Sequence, residues 1–406
     1  MSILARVRDA VYSTFYGPIT VNHPAVAQYL SDYGPTSTGI SVTERSALNY
    51  SAVWACVQAI ARPASAFPCI LYRSEGRNRE RDRDDSLYRL LRTRPNSETS
   101  AAVFIETLLA HATTWGGAFA EIERNVAGEP IALWQLTPDI VTPFRTTPGG
   151  PLAYKVALPG GTTTVLNRDH ILHIPGLSFD GINGYSVIGK ARESIALGLG
   201  MEKFSATFYG NGSTFGGILT HQTPLKSEQV KELQEQIEKK HQGLSKAHRF
   251  LILQNGADYK QLGIPMADAQ FVESRQFSVV EICRWFGVSP AKVFDLTHGT
   301  FSNVEQQNGS HLSDAIQPWL VKFEQELTEK LCKPGQHVEF LVDGYYRADI
   351  QTRYGAYAVG IQNGFLTQNE CREREGLNPL PGGDVLMKPN TGAGDAQRTN
   401  VENDDE

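Results

Sequence analysis

Between residues 128 and 161 the chain is cut three times by clustered turn formers: Gly128-Glu-Pro130, Pro148-Gly-Gly-Pro151 and Pro159-Gly-Gly161. Proline has no N–H to give a sheet ladder, and glycine accepts the positive φ of tight turns. Strands around such punctuation must be short. Ala118–Glu123, Ile131–Leu136, Tyr154–Leu158 and Thr163–Leu166 alternate apolar and polar residues as half-buried strands do. Residues 67–175 therefore read as α+β, with small antiparallel strands beside helices.

The helices follow from 3.6-residue periodicity. A helix from Ser46 places Val53, Val57 and Ile60 on one face, with Trp54 and Ala61 beside them, and Pro63 is expected to end or kink it. Cys69–Tyr72 reads as a strand, and the mixed charges from Glu75 to Asp85 as a solvated hairpin or loop. Leu87–Leu91 is a short helix stopped by Arg94-Pro95-Asn96. Ser100–Thr114 puts Phe104, Leu108 and His111 on one side. Ser186–Tyr209 is a long helix, apolar on its 195, 199, 204 and 208 side, closing at Gly210-Asn-Gly212. Ser227–His241 has only a narrow stripe of Val230, Leu233 and Ile237, so it lies on the surface or against another subunit. His248–Leu253 and Asp258–Leu262 read as strands around the hairpin signal Asn255-Gly256. Ala269–Phe286 is a helix, and Thr297–Gly309 is a polar loop with a glycine at each end. Leu312–Cys332 is a helix with Leu312, Ile316, Trp319, Phe323, Leu327 and Leu331 near heptad spacing, bent at Pro318 and needing a neighbour to cover it. Val338–Val342 is a strand, Arg353–Gln362 a helix, and Thr367-Gln-Asn-Glu370 a capping box before a helix that Gly376 closes. Residues 1–40 read as an extended or disordered arm and 388–406 as a disordered acidic tail.

A chain of 406 residues has room for two or three domains, and 41% hydrophobic with 20% charged residues suits a globular protein. No run of 18 apolar residues marks a membrane span, and the start lacks the apolar core of a signal peptide, so export is not expected. Cys56, Cys69, Cys283, Cys332 and Cys371 form no Cys-x-x-Cys pair, which fits small buried residues in a reducing cytoplasm. The net charge of −6 argues against tight duplex binding, though not against a passage through which DNA slides.

Candidate chemistry is thin. Gly210-Asn-Gly-Ser-Thr-Phe-Gly-Gly217 lacks the Gly-Lys-Ser/Thr of a phosphate loop and follows a helix, so it reads as a cap and turn. His170 and His173, three apart in an expected strand, point to opposite faces with no further ligand nearby. Neither a nucleophile elbow nor a zinc-protease motif occurs, so no catalytic, cofactor or metal residue is assigned. Glu281-Ile-Cys-Arg-Trp-Phe-Gly-Val-Ser-Pro-Ala-Lys-Val293 looks like the first helix and turn of a DNA-reading helix-turn-helix. Its second helix, Pro290–Leu296, would be under two turns, with Lys292 as its single base. A DNA-binding regulator with an accessory domain is the rival reading this leaves, and a capsid or tail adaptor is a weaker third.

Three ordered blocks carry a resemblance. They are Arg92-Thr-Arg-Pro-Asn96 with Trp115-Gly-Gly-Ala-Phe-Ala120; His173-Ile-Pro-Gly, Asp180-Gly-Ile-Asn-Gly-Tyr-Ser186, Phe208-Tyr-Gly-Asn-Gly212 and Gly216-Gly-Ile-Leu219; and Glu281 to Pro290. Arg347-Ala-Asp349 and Asn369-Glu-Cys-Arg372 fit as well. From about Ser46 to Asp384 the chain resembles the portal proteins of tailed bacteriophages, in their HK97-like family. The resemblance implies a non-enzymatic protein without cofactor, in a ring of about twelve copies at one capsid vertex. Its implied partners are further copies of itself, the major capsid protein, the terminase large subunit, a head–tail connector and duplex DNA passing without sequence specificity, with no membrane. The implied location is the capsid portal vertex of the virion, after assembly in the host cytoplasm.

The implied fold has an α+β wing, a helical stem, a small clip hairpin, a long channel helix and a helical C-terminal crown region. The expected boundaries are an arm at 1–45, wing 46–221, stem helix 222–243, clip 244–268, second stem helix 269–296, tunnel loop 297–309, long helix with a returning wing strand 310–345, crown-like region 346–387 and tail 388–406. The resemblance assigns the DNA channel to Thr300, Phe301, Ser302, Asn303, Glu305, Gln306 and Gln307. It assigns terminase and connector docking to Arg249, Gln254, Asn255, Asp258 and Lys260.

Overall fold

A computed structural model describes residues 36–76, 78–147, 149–210, 217–221, 227, 230–231, 257–261, 268–295, 309–342 and 350–387. The fold is α+β, in two compact units that divide between Leu341 and Val342.

The first unit opens with α1 (Glu44–Ala47), capped by Thr43 and Ser46 in a reciprocal capping box. A break at 48–50 separates it from α2 (Ser51–Ser65), so the first long helix begins at Ser51 and not at Ser46. Val53, Cys56, Val57, Ile60, Ala61 and Ala64 are buried along one stripe of α2. Pro63 neither ends nor breaks it. Proline removes the N–H that would reach the carbonyl of Ala59, and that carbonyl instead accepts a hydrogen bond from His311 Nε2 at 2.8 Å. A side chain 252 positions away replaces the missing backbone donor.

Among the described residues, four small antiparallel sheets follow. Strand β1 (Cys69–Glu75) runs between β2 (Asn78–Arg81) and the late strand β11 (Gln336–Phe340), and β2 is the exposed arm of the charged hairpin. Helix α3 (Ser86–Arg92) starts on Asp85, whose carboxylate accepts the Leu87 N–H. Asp85 and Asp82 also receive Gln336 Nε2 at 3.0 and 2.7 Å, which ties β11 to this corner. Helix α4 (Ala101–Trp115), capped by Ser100, packs on α2. Strand β3 (Gly117–Arg124) lies between β4 (Pro130–Leu136) and β8 (Ile171–Pro175). Strands β5 (Val141–Arg145), β6 (Leu152–Ala157) and β7 (Thr163–Asn167) form a meander, of which β5 is an addition to the strands read from sequence. Phe119, Tyr154, Val156 and Ile171 join the two sheets in one apolar cluster.

Helix α5 (Val187–Gly210) buries Ile188, Ala191, Ile195 and Ala196. The stripe read from sequence fails further along, since Phe204 is largely exposed. Strand β9 (Gly217–His221) pairs antiparallel with β10 (Ala257–Gln261), joining residues that the expected wing and clip boundaries had separated. The 248–253 strand, the Asn255-Gly256 turn, the Gly210-Asn-Gly212 cap and the phosphate-loop look-alike fall largely or wholly outside the described residues. Of the 227–241 helix only 227, 230 and 231 are described, all helical. Helix α6 (Asp268–Phe286) packs against α5 and α2, and Ile282, Cys283 and Phe286 complete the central core with Tyr50, Val53 and Ile60.

The last long helix differs from expectation in its register. A π-turn at Leu312–Ile316 precedes α7 (Gln317–Leu331), and Pro318 sits in the first turn of α7, where its missing N–H costs little. The buried line runs Leu312, Ile316, Leu320, Phe323, Leu327 and Leu331, with Leu320 in place of Trp319. This face packs on β8 and β11 within the same chain, so it needs no neighbouring subunit. The second unit holds α8 (Ile350–Gln362) and α9 (Gln368–Arg374). Thr367 and Glu370 form the expected capping box, Gly376 takes φ +70° after α9, and Glu375 receives Arg353 and Tyr357 across the pair.

Candidate functional site

The first sequence block fastens a loop. Asn96 is buried, donates from Nδ2 to the Leu133 carbonyl at 2.8 Å and accepts the Glu98 and Thr99 N–H groups at 2.9 and 2.7 Å. A side chain with both donors and an acceptor is what a buried turn against a strand needs.

The second block is a backbone crossing. Gly116 ends α4 at φ +84°, and its carbonyl accepts the Gly176 N–H at 2.8 Å. A Cβ on Gly184 would stand 2.8 Å from the Gly116 carbonyl carbon and 2.9 Å from the Gly176 nitrogen, closer than real Cβ atoms come. Gly116, Gly176 and Gly184, one glycine from each of Trp115-Gly-Gly, His173-Ile-Pro-Gly and Asp180-Gly-Ile-Asn-Gly, thus meet at one point. Asp180 organises the approach. Its carboxylate accepts from Ser178, the Ile182 and Asn183 N–H groups and Asn183 Nδ2. Slight burial works to raise its pKa, but these donors win and hold it well below the usual carboxylate range. Ser186 closes the block, donating to the Thr114 carbonyl and accepting the Gly189 N–H at the start of α5.

The two histidines separate. His170 lies exposed in a 3-10 turn and not in the strand, while His173 is buried on β8. The His173 ring stacks on Phe119 and its Nδ1 lies 3.0 Å from the Tyr154 hydroxyl. Burial, reinforced by the charge of Lys330, lowers its pKa to about 3, so the ring is neutral. Burial likewise holds His111 at about 4. These are core histidines, and among the described residues no three His, Cys, Asp or Glu gather as a metal site.

The third block ends in a fixed cap. Helix α6 closes in a Schellman motif, with Gly287 at φ +65°, Val288 N–H on the Cys283 carbonyl and Gly287 N–H on the Arg284 carbonyl. One 3-10 turn follows, Pro290–Val293, and then Phe294 turns left-handed at φ +66° with 91% of its surface exposed. A four-residue turn is too short to lie in a major groove and read bases, so this segment is not a helix-turn-helix reader.

The expected tunnel loop, 297–309, with Thr300, Phe301, Ser302, Asn303, Glu305, Gln306 and Gln307, lies outside the described residues except for Gly309, which is helical. Its two anchors are described. The 3-10 turn and the π-turn both pack on α2. At one anchor His311 is buried and donates to Ala59; at the other, Lys292 is near enough for its charge to act on His311. Burial first, and then Lys292, lower the His311 pKa, against the pull of the Ala59 carbonyl. Both flanking turns thus rest on the same helix, α2. Of the residues assigned to docking, Arg249, Gln254 and Asn255 lie outside the described residues. Asp258 and Lys260 sit on β10, opposite Thr220 and Ile218 of β9.

Comparison with known proteins follows this geometry. The family model described as phage portal protein matches residues 51–376. The portal protein of Enterobacteria phage HK97 is 30% identical over 356 residues, covering 86% of this chain and 83% of its own. The probable portal protein of Streptomyces phage phiC31 is 28% identical, covering 91% and 81%. Among solved structures, a chain from the virion of a native gene transfer agent particle aligns with TM-score 0.57 at 22% identity, covering 93% of this chain and all of that one. An HK97 family phage portal protein from Corynebacterium diphtheriae aligns with TM-score 0.57 at 13% identity, covering 76% and 98%. At these identities the structures speak for the fold, and the family model and the HK97 relative speak for descent: the chain belongs to the phage portal protein family.

Proposed function

We propose that the chain assembles head to tail into a closed ring of about twelve copies at one capsid vertex, forming the conduit through which duplex DNA enters and leaves the particle. The observation that carries this reading is the family match from residue 51 to residue 376, which takes in the central core and both turns that flank the 297–309 segment. A relative of 21% identity was determined within the neck of a gene transfer agent particle with C12 symmetry, which supports the ring number. In this reading 46–221 is the outer wing, 222–243 and 269–296 the stem, 244–268 the clip that meets the terminase large subunit and later the head–tail connector, and 346–387 the crown-like region. The major capsid protein surrounds the ring.

The chemistry suits a passive duct. Twelve copies would carry a formal charge of about −72, so the mean field repels DNA and does not hold it. The 297–309 segment is rich in Ser, Asn and Gln, which stay hydrated facing water and touch phosphates without the lasting contacts of Lys or Arg. Fixed anchors on α2 would let such a loop move while its ends stay in place. Energy for packaging would come from the separate terminase.

Packaging assays test the assignment. Asn303→Lys with Gln306→Lys should leave rings intact and slow or stall DNA passage. Asp258→Lys should spare ring formation and block packaging or tail joining. DNA-filled particles at wild-type yield from both variants would remove these roles from the loop and the clip.

A further inference from the structure

Helices α2 and α6 touch through sulfur. The Cys56 thiol donates to Cys283 Sγ at 3.9 Å, across 227 positions of the chain. Both side chains are buried in the central core, Cys56 at 0% and Cys283 at 1% exposure. A second contact precedes this one along both segments: the Tyr50 hydroxyl and Ser278 Oγ lie 3.0 Å apart. Together the two contacts hold the helices in one register, and the Schellman cap at Gly287 fixes the end of α6 just beyond Cys283. A disulfide needs its sulfurs about 2.0 Å apart, so closure takes roughly 2 Å of travel, within reach of a rotation about one Cα–Cβ bond.

The contact also divides the labour between the two thiols. The hydrogen bond from Cys56 lowers the Cys283 pKa, against the opposing effect of burial, so Cys283 is the readier nucleophile. Burial pushes up the thiols of Cys69, Cys332 and Cys371. A bulky reagent such as glutathione disulfide has no room beside two buried sulfurs, which leaves small oxidants of the peroxide class.

We propose that Cys56 and Cys283 are an oxidation site, at which a peroxide closes a disulfide that staples α2 to α6 through the core. The Cys283 sulfur attacks one peroxide oxygen, forming an S–O bond as the O–O bond breaks, and the leaving oxygen departs as water with the Cys283 proton. The Cys56 sulfur then attacks the Cys283 sulfenic sulfur; the S–S bond forms, the S–O bond breaks, and the second oxygen leaves as water with the Cys56 proton. The two thiols lose two electrons, and hydrogen peroxide is reduced to two waters. The loop so closed is long, which is where a cross-link restrains the unfolded chain most. A virion component leaves the reducing cytoplasm for an oxidising exterior, so a staple that closes on release would harden the core after assembly. The inference stands on the sulfur contact, independently of the ring and conduit reading.

Thiol counting tests it in the full chain. The protein is purified under a thiol reductant, freed of it, treated with hydrogen peroxide, then unfolded in urea and alkylated. Free thiols should fall from five to three, and peptide mass spectrometry without reduction should join the Cys56 peptide to the Cys283 peptide at monomer mobility on a denaturing gel. The urea midpoint should rise by about 1 M on oxidation and return with dithiothreitol. Cys56→Ala should abolish that rise, and Cys283→Ala gives the same readout should the first variant fold poorly. Five thiols remaining, a linkage between other cysteines or between two copies, or sulfinic acid at either position without the 56–283 linkage would overturn the proposal. So would a midpoint that the linkage leaves unmoved, or one that rises equally in the alanine variants.

Discussion

Replacing His311 by Leu keeps most of the side-chain volume and removes the donor that serves the Ala59 carbonyl. That carbonyl is part-buried, on a residue packed beside the central core, and Pro63 offers it no N–H. A buried acceptor left without a partner costs about 1–3 kcal/mol. Pro63→Ala supplies a helical N–H four residues on, so in that background the carbonyl keeps a partner and the His311 change should cost under about 0.5 kcal/mol. Pro63→Ala alone should stay within about 1 kcal/mol of wild type, because the carbonyl is already satisfied and the unfolded chain gains freedom. The double-mutant cycle then gives a coupling of about 1–2 kcal/mol, with the double variant more stable than the sum of the singles. Urea denaturation of all four proteins at one concentration and in one assembly state measures it. Additivity within about 0.5 kcal/mol would refute the claim that His311 does the work Pro63 cannot. The same cycle bears on the proposed channel role, because His311 directly follows the 297–309 segment.

Two further outcomes follow from the site geometry. His111 and His173 have folded-state pKa values lowered by burial to about 4 and about 3, so the unfolded chain binds more protons below the ordinary histidine value of 6.5. Stability is full above pH 6.5 and falls toward pH 5 by about 2 kcal/mol for each of these two rings, with His311 acting in the same direction, measurable as a shift in urea midpoint that His173→Gln should reduce. Gly184→Ala drives a methyl group into the Gly116 backbone and should cost more than about 3 kcal/mol; soluble protein of wild-type melting temperature would show that the crossing can open freely.

Local physics made much of the fold legible. Asp85, Ser100 and Thr367 stand where caps are needed, the Pro/Gly clusters bound the meander, and Gly376 closes α9. What escaped is non-local. Pro63 looked like a breaker because its compensating donor comes from His311, far along the chain. The π-turn at Leu312–Ile316 shifts the buried line from Trp319 to Leu320, and no periodicity count includes an extra residue per turn. Strand β9 finds β10 across about 35 residues, a pairing that no local turn signal marks. At the site, the glycines of the second block were visible as a pattern, but their convergence at Gly116 needed three dimensions. The near-heptad face of α7, which needs a neighbour to cover it, finds that neighbour in β8 and β11 of the same chain.

With that face buried inside the subunit, the proposed ring would close through other surfaces, and assembly state becomes the most direct measurement. Purified chain should appear by native mass spectrometry and negative-stain microscopy as closed rings of about twelve subunits with an open axial channel, without metal or nucleotide. It should bind duplex DNA weakly and without sequence preference, given its net charge of −6 per copy. Monomers or dimers at every salt and protein concentration, together with a nanomolar sequence-selective DNA complex, would contradict the account.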